Sequence, residues 1–93
     1  MSAIHEEARV GNLERVKALL KDNPDLVFSK DDDGTPLHKA AAFGNKAVAE
    51  FLLANKADVN AKGTVAGWTP LRMAVAWNHN AVAELLRRHG GRE

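Results

Sequence analysis

The sequence contains no cysteine and only three prolines among its 93 residues. Without cysteine, the chain has no disulfide framework, no thiol nucleophile and no zinc site built on thiolates. Acidic and basic residues nearly balance, at 12 and 13, and the net charge of +1 gives no strong field to attract nucleic acid or an acidic membrane surface. No apolar run approaches the roughly 18 residues of a membrane span. Residues 1–10 lack the apolar core of a secretion signal. We therefore predict a small, soluble, cytoplasmic module.

The composition is that of a folded domain. Hydrophobic residues make up 45% of the chain and charged residues 27%, which lies in the range of globular proteins. A chain of this length buries only about 60–65% of its unfolded surface, so we expect a narrow margin of stability.

The sequence repeats itself at an offset of 33 or 34 residues. Residues 37–45 (LHKAAAFGN) align with residues 4–12 (IHEEARVGN) at an offset of 33. The tripeptide TPL at 35–37 recurs 34 residues later, and at this offset AVAE at 47–50 recurs unchanged. Because the similarity extends over nearly the whole chain, we predict three similar structural units.

Each unit has the sequence signals of two consecutive helices. Thr35 before Pro36 marks a helix start, because the hydroxyl caps free N–H groups and the first helical position needs no donor. The small, alanine-rich first helix ends at Gly44 in unit two and at Asn78 in unit three, the residue types that best adopt a left-handed cap. Apolar residues then recur at helical spacing along a second helix: Val16, Leu19 and Leu20; Val48, Phe51 and Leu52; Val82, Leu85 and Leu86. One such pair of helices cannot bury its own apolar face, so the units are expected to stack.

On residues 34–44 (GTPLHKAAAFG) and 57–61 (ADVNA), the chain resembles an ankyrin repeat protein over approximately residues 2–91. The resemblance implies an all-α solenoid of helix–turn–helix units joined by β-turn fingers. Repeat 1 would span about 2–30, repeat 2 about 31–62 and repeat 3 about 63–91. It also implies a concave face, formed by the fingers and first helices, that binds another protein.

The terminal repeats carry polar residues where the middle repeat is apolar. Glu7 and Arg15 occupy positions equivalent to Ala40 and Val48, and two arginines at 87–88 replace a leucine and an alanine. The outer faces of a stack lie in water, where polar residues prevent end-to-end association. We therefore predict that repeats 1 and 3 act as caps and that the array is complete.

The four histidines do not predict a metal site. His5 and His38 occupy equivalent positions in adjacent repeats and are expected roughly 8–10 Å apart, the spacing of packed helices. That spacing is too wide for two ligands of one zinc ion, given Zn–N distances near 2.1 Å. The resemblance implies that this histidine ties neighbouring repeats by hydrogen bonds. Arg72 replaces it in repeat 3, and His79 and His89 are expected to be surface or capping residues.

Catalysis and nucleic-acid binding are not predicted either. The sequence has no Gly-x-Ser-x-Gly turn, no glycine-rich phosphate loop and no paired-carboxylate site. The acidic run 31–33 lacks the alternation and closing glutamate of a calcium loop. The basic residues of the C-terminal segment 87–92 have acidic neighbours and no aromatic platform. We therefore expect no enzymatic activity, no cofactor or metal, and no nucleic-acid or membrane partner.

The residues with the best signal for binding are aromatic. Phe43 and Trp77 occupy one position in successive repeats, with Val10 before them, and the resemblance implies that this position faces the concave groove. Trp68 precedes Thr69 in the finger of repeat 3, and tryptophan is enriched among the residues that dominate binding energy. The alternative is that Phe43 and Trp77 only pack against a neighbouring finger. Eight partner-binding residues are predicted: Arg9, Val10, Lys39, Phe43, Val65, Trp68, Met73 and Trp77.

Two functions remain open from the sequence. The first is a non-catalytic module, natural or consensus-derived and engineered, that binds a protein partner on its concave face as a monomer. The alternative is a homodimer that pairs through Trp68, Met73 and Trp77. The first finger (29–34) is acidic, whereas the second (62–68) is apolar without any acidic residue, a divergence due either to drift or to recognition.

Overall fold

The computed structural model describes residues 3–64 and 66–93 and contains six α-helices arranged in three pairs. Within these residues there is no β-strand, so the predicted all-α fold of helix–turn–helix units is confirmed. In chain order the elements are α1 (Ala3–Val10), α2 (Leu13–Asp22), a 3₁₀ helix (Pro24–Phe28), α3 (Pro36–Ala42), α4 (Lys46–Ala54), α5 (Pro70–Ala76) and α6 (Asn80–Arg88). Nowhere in this part of the chain is a helix both long and apolar enough to cross a membrane.

The predicted signals mark the helix boundaries. The Thr35 hydroxyl accepts the His38 backbone N–H at 3.4 Å, and the Thr69 hydroxyl accepts that of Arg72 at 3.2 Å. Each threonine thereby satisfies one of the free donors at a helix start. At the other end, Gly44 and Asn78 both have positive φ angles, of 72° and 62°, and turn the chain into the following helix.

The core consists of neighbour-to-neighbour contacts along the stack. The first helices pack in the order α1, α3, α5, and the second helices in the order α2, α4, α6. Small side chains on the first helices, such as the fully buried Ala8, Ala40 and Ala74, let these helices approach closely. Larger side chains such as Leu52 and Leu86 fill the space beneath them. The stacking inferred from the repeat is therefore confirmed.

Side-chain hydrogen bonds to the backbone tie adjacent repeats. His5 Nε2 donates to the Gly34 carbonyl at 2.9 Å, and His38 Nε2 donates to the Trp68 carbonyl at 2.7 Å. The Asn45 side-chain amide donates to two carbonyls at the end of α1, at 2.7 and 2.8 Å. These bonds confirm the structural role of the two histidines, and they hold each finger against the repeat before it.

One helix was not predicted. The 3₁₀ helix follows α2 without an equivalent in repeat 2, where the corresponding segment forms turns. It begins with Pro24, and the Asn23 side chain accepts the Asp25 N–H at 3.3 Å. These local signals are specific to repeat 1. Phe28, the last residue of this helix, is 53% exposed.

Candidate functional site

A groove of about 750 Å³ opens between repeats 2 and 3. Its lining is predominantly apolar and comes from the ends of α3 and α5 and from both fingers. The lining residues are Asp33, Ala42, Phe43, Ala66, Trp68, Met73, Trp77 and His79. The structure therefore brings together four of the predicted binding residues, one from repeat 2 and three from repeat 3.

The side chains of Phe43 and Trp77 are exposed to solvent because they lie at the ends of their helices. Phe43 and Trp77 are the residues that cap the C-termini of α3 and α5, directly before the left-handed residues Gly44 and Asn78. The chain leaves the helix at this point, and the side chains remain 49% and 63% exposed. Packing against a neighbouring finger thus buries only part of each side chain. Val10 holds the equivalent position in repeat 1 and is 55% exposed, although it does not line the groove.

Contacts to its backbone carbonyl and to its ring hold Trp68 in place. Its carbonyl oxygen accepts hydrogen bonds from His38 Nε2 and from the Gly63 N–H, both at 2.7 Å. The Arg72 guanidinium lies 4.9 Å from the Trp68 ring centroid, a cation–π distance. Arg72 occupies the position of His5 and His38, so repeat 3 replaces a tie between repeats by a contact that supports the groove wall.

The acidic finger forms one rim of the groove. The Asp31 side chain accepts the backbone N–H groups of Asp33 and Gly34, at 2.9 and 3.2 Å. Lys39 forms ion pairs with Asp33 and, at 3.8 Å, with Asp31. Burial alone would raise the pKa of Asp31, but the Asp33 N–H and the nearby positive charges lower it overall. The ionised Asp31 carboxylate therefore holds the turn of the finger through two backbone hydrogen bonds.

Two of the predicted binding residues, Arg9 and Lys39, have internal partners and do not line the groove. Arg9 donates to Glu6, with Nε and Oε2 3.1 Å apart, and its guanidinium lies 5.7 Å from the Phe43 ring centroid. This hydrogen bond lowers the pKa of Glu6. Lys39 is only 14% exposed beside the acidic finger. Neither cation lines the groove, and Val65 lies outside the described residues.

His79 is a groove residue that the sequence interpretation missed. It precedes α6, but its side chain makes no capping hydrogen bond and instead faces the preceding repeat. A Cβ atom added to Gly44 would lie 2.5 Å from His79 Nδ1. The expectation of a surface or capping role is met in part, because His79 is the half-buried N-cap residue of α6, but its side chain also lines the groove. Asn45 occupies the equivalent position in repeat 2, and its side chain also contacts the preceding repeat. The repeat alignment could therefore have predicted that the His79 side chain faces the preceding repeat.

The titratable side chains are arranged as structural groups. Across residues 3–64 and 66–93, no cluster of three His, Asp or Glu side chains is placed to hold a metal ion. His38 is fully buried, and both ring nitrogens have partners, since Nδ1 accepts the Thr35 N–H at 3.0 Å. Burial lowers the pKa of His38 and keeps the ring neutral.

Comparison with known proteins identifies the repeat. A family model described as "Ankyrin repeats (3 copies)" matches residues 2–92. The chain is 43% identical over 84 residues to the ARF GTPase-activating protein Git of Drosophila melanogaster, and the alignment covers 89% of this chain and 11% of that protein. It is 39% identical to the 26S proteasome non-ATPase regulatory subunit 10 of Dictyostelium discoideum, covering 91% of this chain and 37% of the relative. It is 36% identical to the human ankyrin repeat domain-containing protein 13C, and the alignment covers 91% of this chain and 16% of that relative. The chain thus spans well under half the length of these relatives.

Proposed function

Because this chain belongs to the ankyrin repeat family, we propose that it is a non-catalytic module that binds a protein partner through its concave face. Ankyrin repeats in general mediate protein–protein interaction. The proposal includes the division into repeats at about 2–30, 31–62 and 63–91, with the first and third as caps.

The observation that carries the proposal is the open groove between repeats 2 and 3. Concave and mostly apolar clefts with a few polar groups at their edges are the usual form of a binding site. Full burial of one large apolar side chain contributes about 1.5–3 kcal/mol, and both tryptophans of the chain line the groove. Tryptophan is enriched among the residues that dominate binding.

The wall formed by Trp68 also supports a binding role, because contacts already hold this residue in place in the unbound chain. Its carbonyl and its ring are each held by neighbours, as described above. A preformed site binds more tightly than a mobile one, since less side-chain freedom is lost on association. Within the predicted contact set we therefore place Phe43, Trp68, Met73 and Trp77 at the centre. Arg9, Val10 and Lys39 belong to the periphery, and Val65 stays in the proposed contact set on the sequence alone.

The test compares captured proteins between variants of the chain used as bait. Trp68→Ala and Trp77→Ala are expected to lower the recovery of specific partners at least about tenfold, the usual effect of removing a dominant interface residue. Phe28→Ala is the matched control, because Phe28 is similarly exposed but lines a separate cavity. Circular dichroism verifies that each variant is folded. Undiminished binding by both tryptophan variants would reject the proposed site.

Self-association is the second candidate, favoured by the exposure of Trp77 beside a groove large enough to receive the same residue of another copy. Sedimentation velocity over a hundredfold range of concentration separates the two functions. A monomer throughout this range eliminates the homodimer, whereas a dimer that Trp77→Ala disrupts would support it.

A further inference from the structure

The exposed apolar residues of the first helices form a row along the stack. Val10, Phe43 and Trp77 hold one position in three successive repeats, and all three are about half exposed or more. Their helices α1, α3 and α5 pack side by side in that order. Packed helices lie about 8–10 Å apart, so this apolar row offers one large contact per 8–10 Å.

That spacing selects the backbone conformation of a ligand. An α-helix rises 1.5 Å per residue, so side chains seven residues apart lie on one face about 10.5 Å from each other. Side chains on one face of an extended chain are about 6.6 Å apart, or about 13 Å when one is skipped. The apolar row therefore matches a helix with an apolar residue at every seventh position, and an extended peptide is out of register with it.

The groove supplies the deep site for such a helix. Phe43 and Trp77 of the apolar row both line it, together with Trp68 and Met73. Its volume of about 750 Å³ is larger than one side chain requires. A helix that lies across it can therefore insert a second apolar residue three or four positions from the first, the usual pattern of helix-in-groove recognition.

The charges around the groove favour a basic ligand. Asp33 is the carboxylate among the lining residues and remains 49% exposed, and Asp32 beside it is also exposed. The nearest cation, Lys39, is already paired with Asp33 and largely covered. With the exposed Lys30 counted as well, the first finger and Lys39 hold three carboxylates and two lysines, so this rim keeps a net negative charge, whereas the second finger contributes the uncharged Ala66 to the lining.

The cations on the other sides do not compensate for this rim. Arg9 is paired with Glu6, and Arg72 lies over the Trp68 ring and is not among the lining residues. His79, which also lines the groove, lies against Gly44.

We propose that the partner presents an amphipathic α-helix to this face, with large apolar residues at positions i, i+3 or i+4, and i+7. A lysine or arginine next to the deepest residue would pair with Asp32 or Asp33. This inference rests on the proposed function and adds the chemistry of the bound segment. Apolar burial in the groove supplies affinity, and the acidic rim selects against acidic helices.

The first experiment is a selection with a display library of random 16-residue peptides against the whole chain. Enriched sequences are expected to place large apolar residues at helical spacing and to contain more Lys and Arg than Asp and Glu. The most enriched peptide is then synthesised and titrated by calorimetry, and circular dichroism of the mixture is expected to show a gain of helix.

Variants of the chain test the two parts of the site separately. Trp77→Ala and Phe43→Ala are expected to weaken binding of the selected peptide at least about tenfold, with Phe28→Ala unchanged. Asp32→Asn combined with Asp33→Asn is expected to weaken binding about three- to tenfold and to flatten its dependence on salt. Asp25→Asn is the charge control, because Asp25 is exposed on the 3₁₀ helix away from the groove.

The outcomes distinguish a failure of the helical-ligand inference from a failure of the proposed function. Selected peptides that bind in an extended form, or that are acidic, yet require Trp77, would overturn the helix and leave the proposed function intact. Peptides whose binding survives both Trp77→Ala and Phe43→Ala would overturn both, as would a selection without enrichment. A dimer that Trp77→Ala disrupts would make a second copy the occupant and would also overturn the inference.

Discussion

At the scale of single residues, His38 shows how one buried side chain can serve two neighbouring elements. Its Nδ1 accepts from the Thr35 backbone at the start of its own helix, and its Nε2 donates to Trp68 in the next finger. Only the neutral ring can accept at one nitrogen and donate at the other. Both contacts therefore depend on the protonation state of the ring.

The stability of the protein is expected to decrease in mild acid because of this histidine. Burial sets the pKa of His38 in the folded chain below the roughly 6.5 of an unfolded chain. Below that pH the unfolded chain binds more protons than the folded one, so the contribution of His38 is complete above about pH 6.5 and is lost as the pH falls further. Urea unfolding at pH 8, 7, 6 and 5 measures the effect. The free-energy gap between the wild type and His38→Gln should narrow with acidity, and a constant gap would contradict the assignment.

Gly44 is predicted to tolerate alanine less well than Gly90. Both have left-handed backbones, with φ angles of 72° and 84°, and the left-handed conformation costs an alanine roughly 1–2 kcal/mol. A Cβ at Gly90 would have nothing within 4 Å, whereas one at Gly44 would meet the His79 ring. Gly44→Ala is therefore expected to lower the free energy of unfolding by more than Gly90→Ala does. Equal losses in chemical denaturation would show that His79 does not lie against Gly44.

At the scale of helices, local signals predicted most of the boundaries. The Thr-Pro starts and the Gly or Asn ends act within one turn of the chain, and the structure has helices where these signals lie. The offset of 33 residues also pairs residues 25–26 with residues 58–59, which form no helix, so the repeat itself carries no signal for the 3₁₀ helix. There the local preference of Asn23 and Pro24 differs from that of the equivalent residues.

Leu52 is expected to be critical for the second helix of the middle repeat. It is fully buried in α4, which packs against both α2 and α6. Leu52→Ala should reduce the free energy of unfolding by about 2–5 kcal/mol, the range for a buried leucine. Leu53→Ala, at a partly buried position on the same helix, provides the comparison and should cost less. A melting temperature for Leu52→Ala equal to that of the wild type would mean that the stacking register is wrong.

At the scale of the whole molecule, stability depends on two junctions between three repeats. Domains typically have about 0.05–0.15 kcal/mol of stability per residue, or roughly 5–14 kcal/mol for a chain of this length. We expect a value in the lower half of that range, because each repeat contacts only its neighbours in the stack. Urea unfolding followed by circular dichroism gives the value, and a free energy of unfolding above this half would contradict the expectation.

The candidate site was predictable in its aromatic residues but not in its charges. Repeat alignment alone placed Phe43 and Trp77 in one row, because equivalent positions of stacked units share one face. It could not show that Lys39 pairs with Asp33 or that Arg9 lies over Phe43. Those contacts depend on loop geometry and on side-chain rotamers across repeats, and the spacing of residues in one sequence does not determine them.

The position of the two tryptophans has a spectroscopic consequence. Trp68 and Trp77 line the same groove, and the chain contains no tyrosine. Excitation near 295 nm, a wavelength that selects indole rings, therefore samples this groove and no other part of the molecule. Emission from unlabelled protein would respond when the groove is covered, with a blue shift as the Trp77 ring leaves water. The tryptophan fluorescence of the unlabelled protein would therefore report whether the groove is covered.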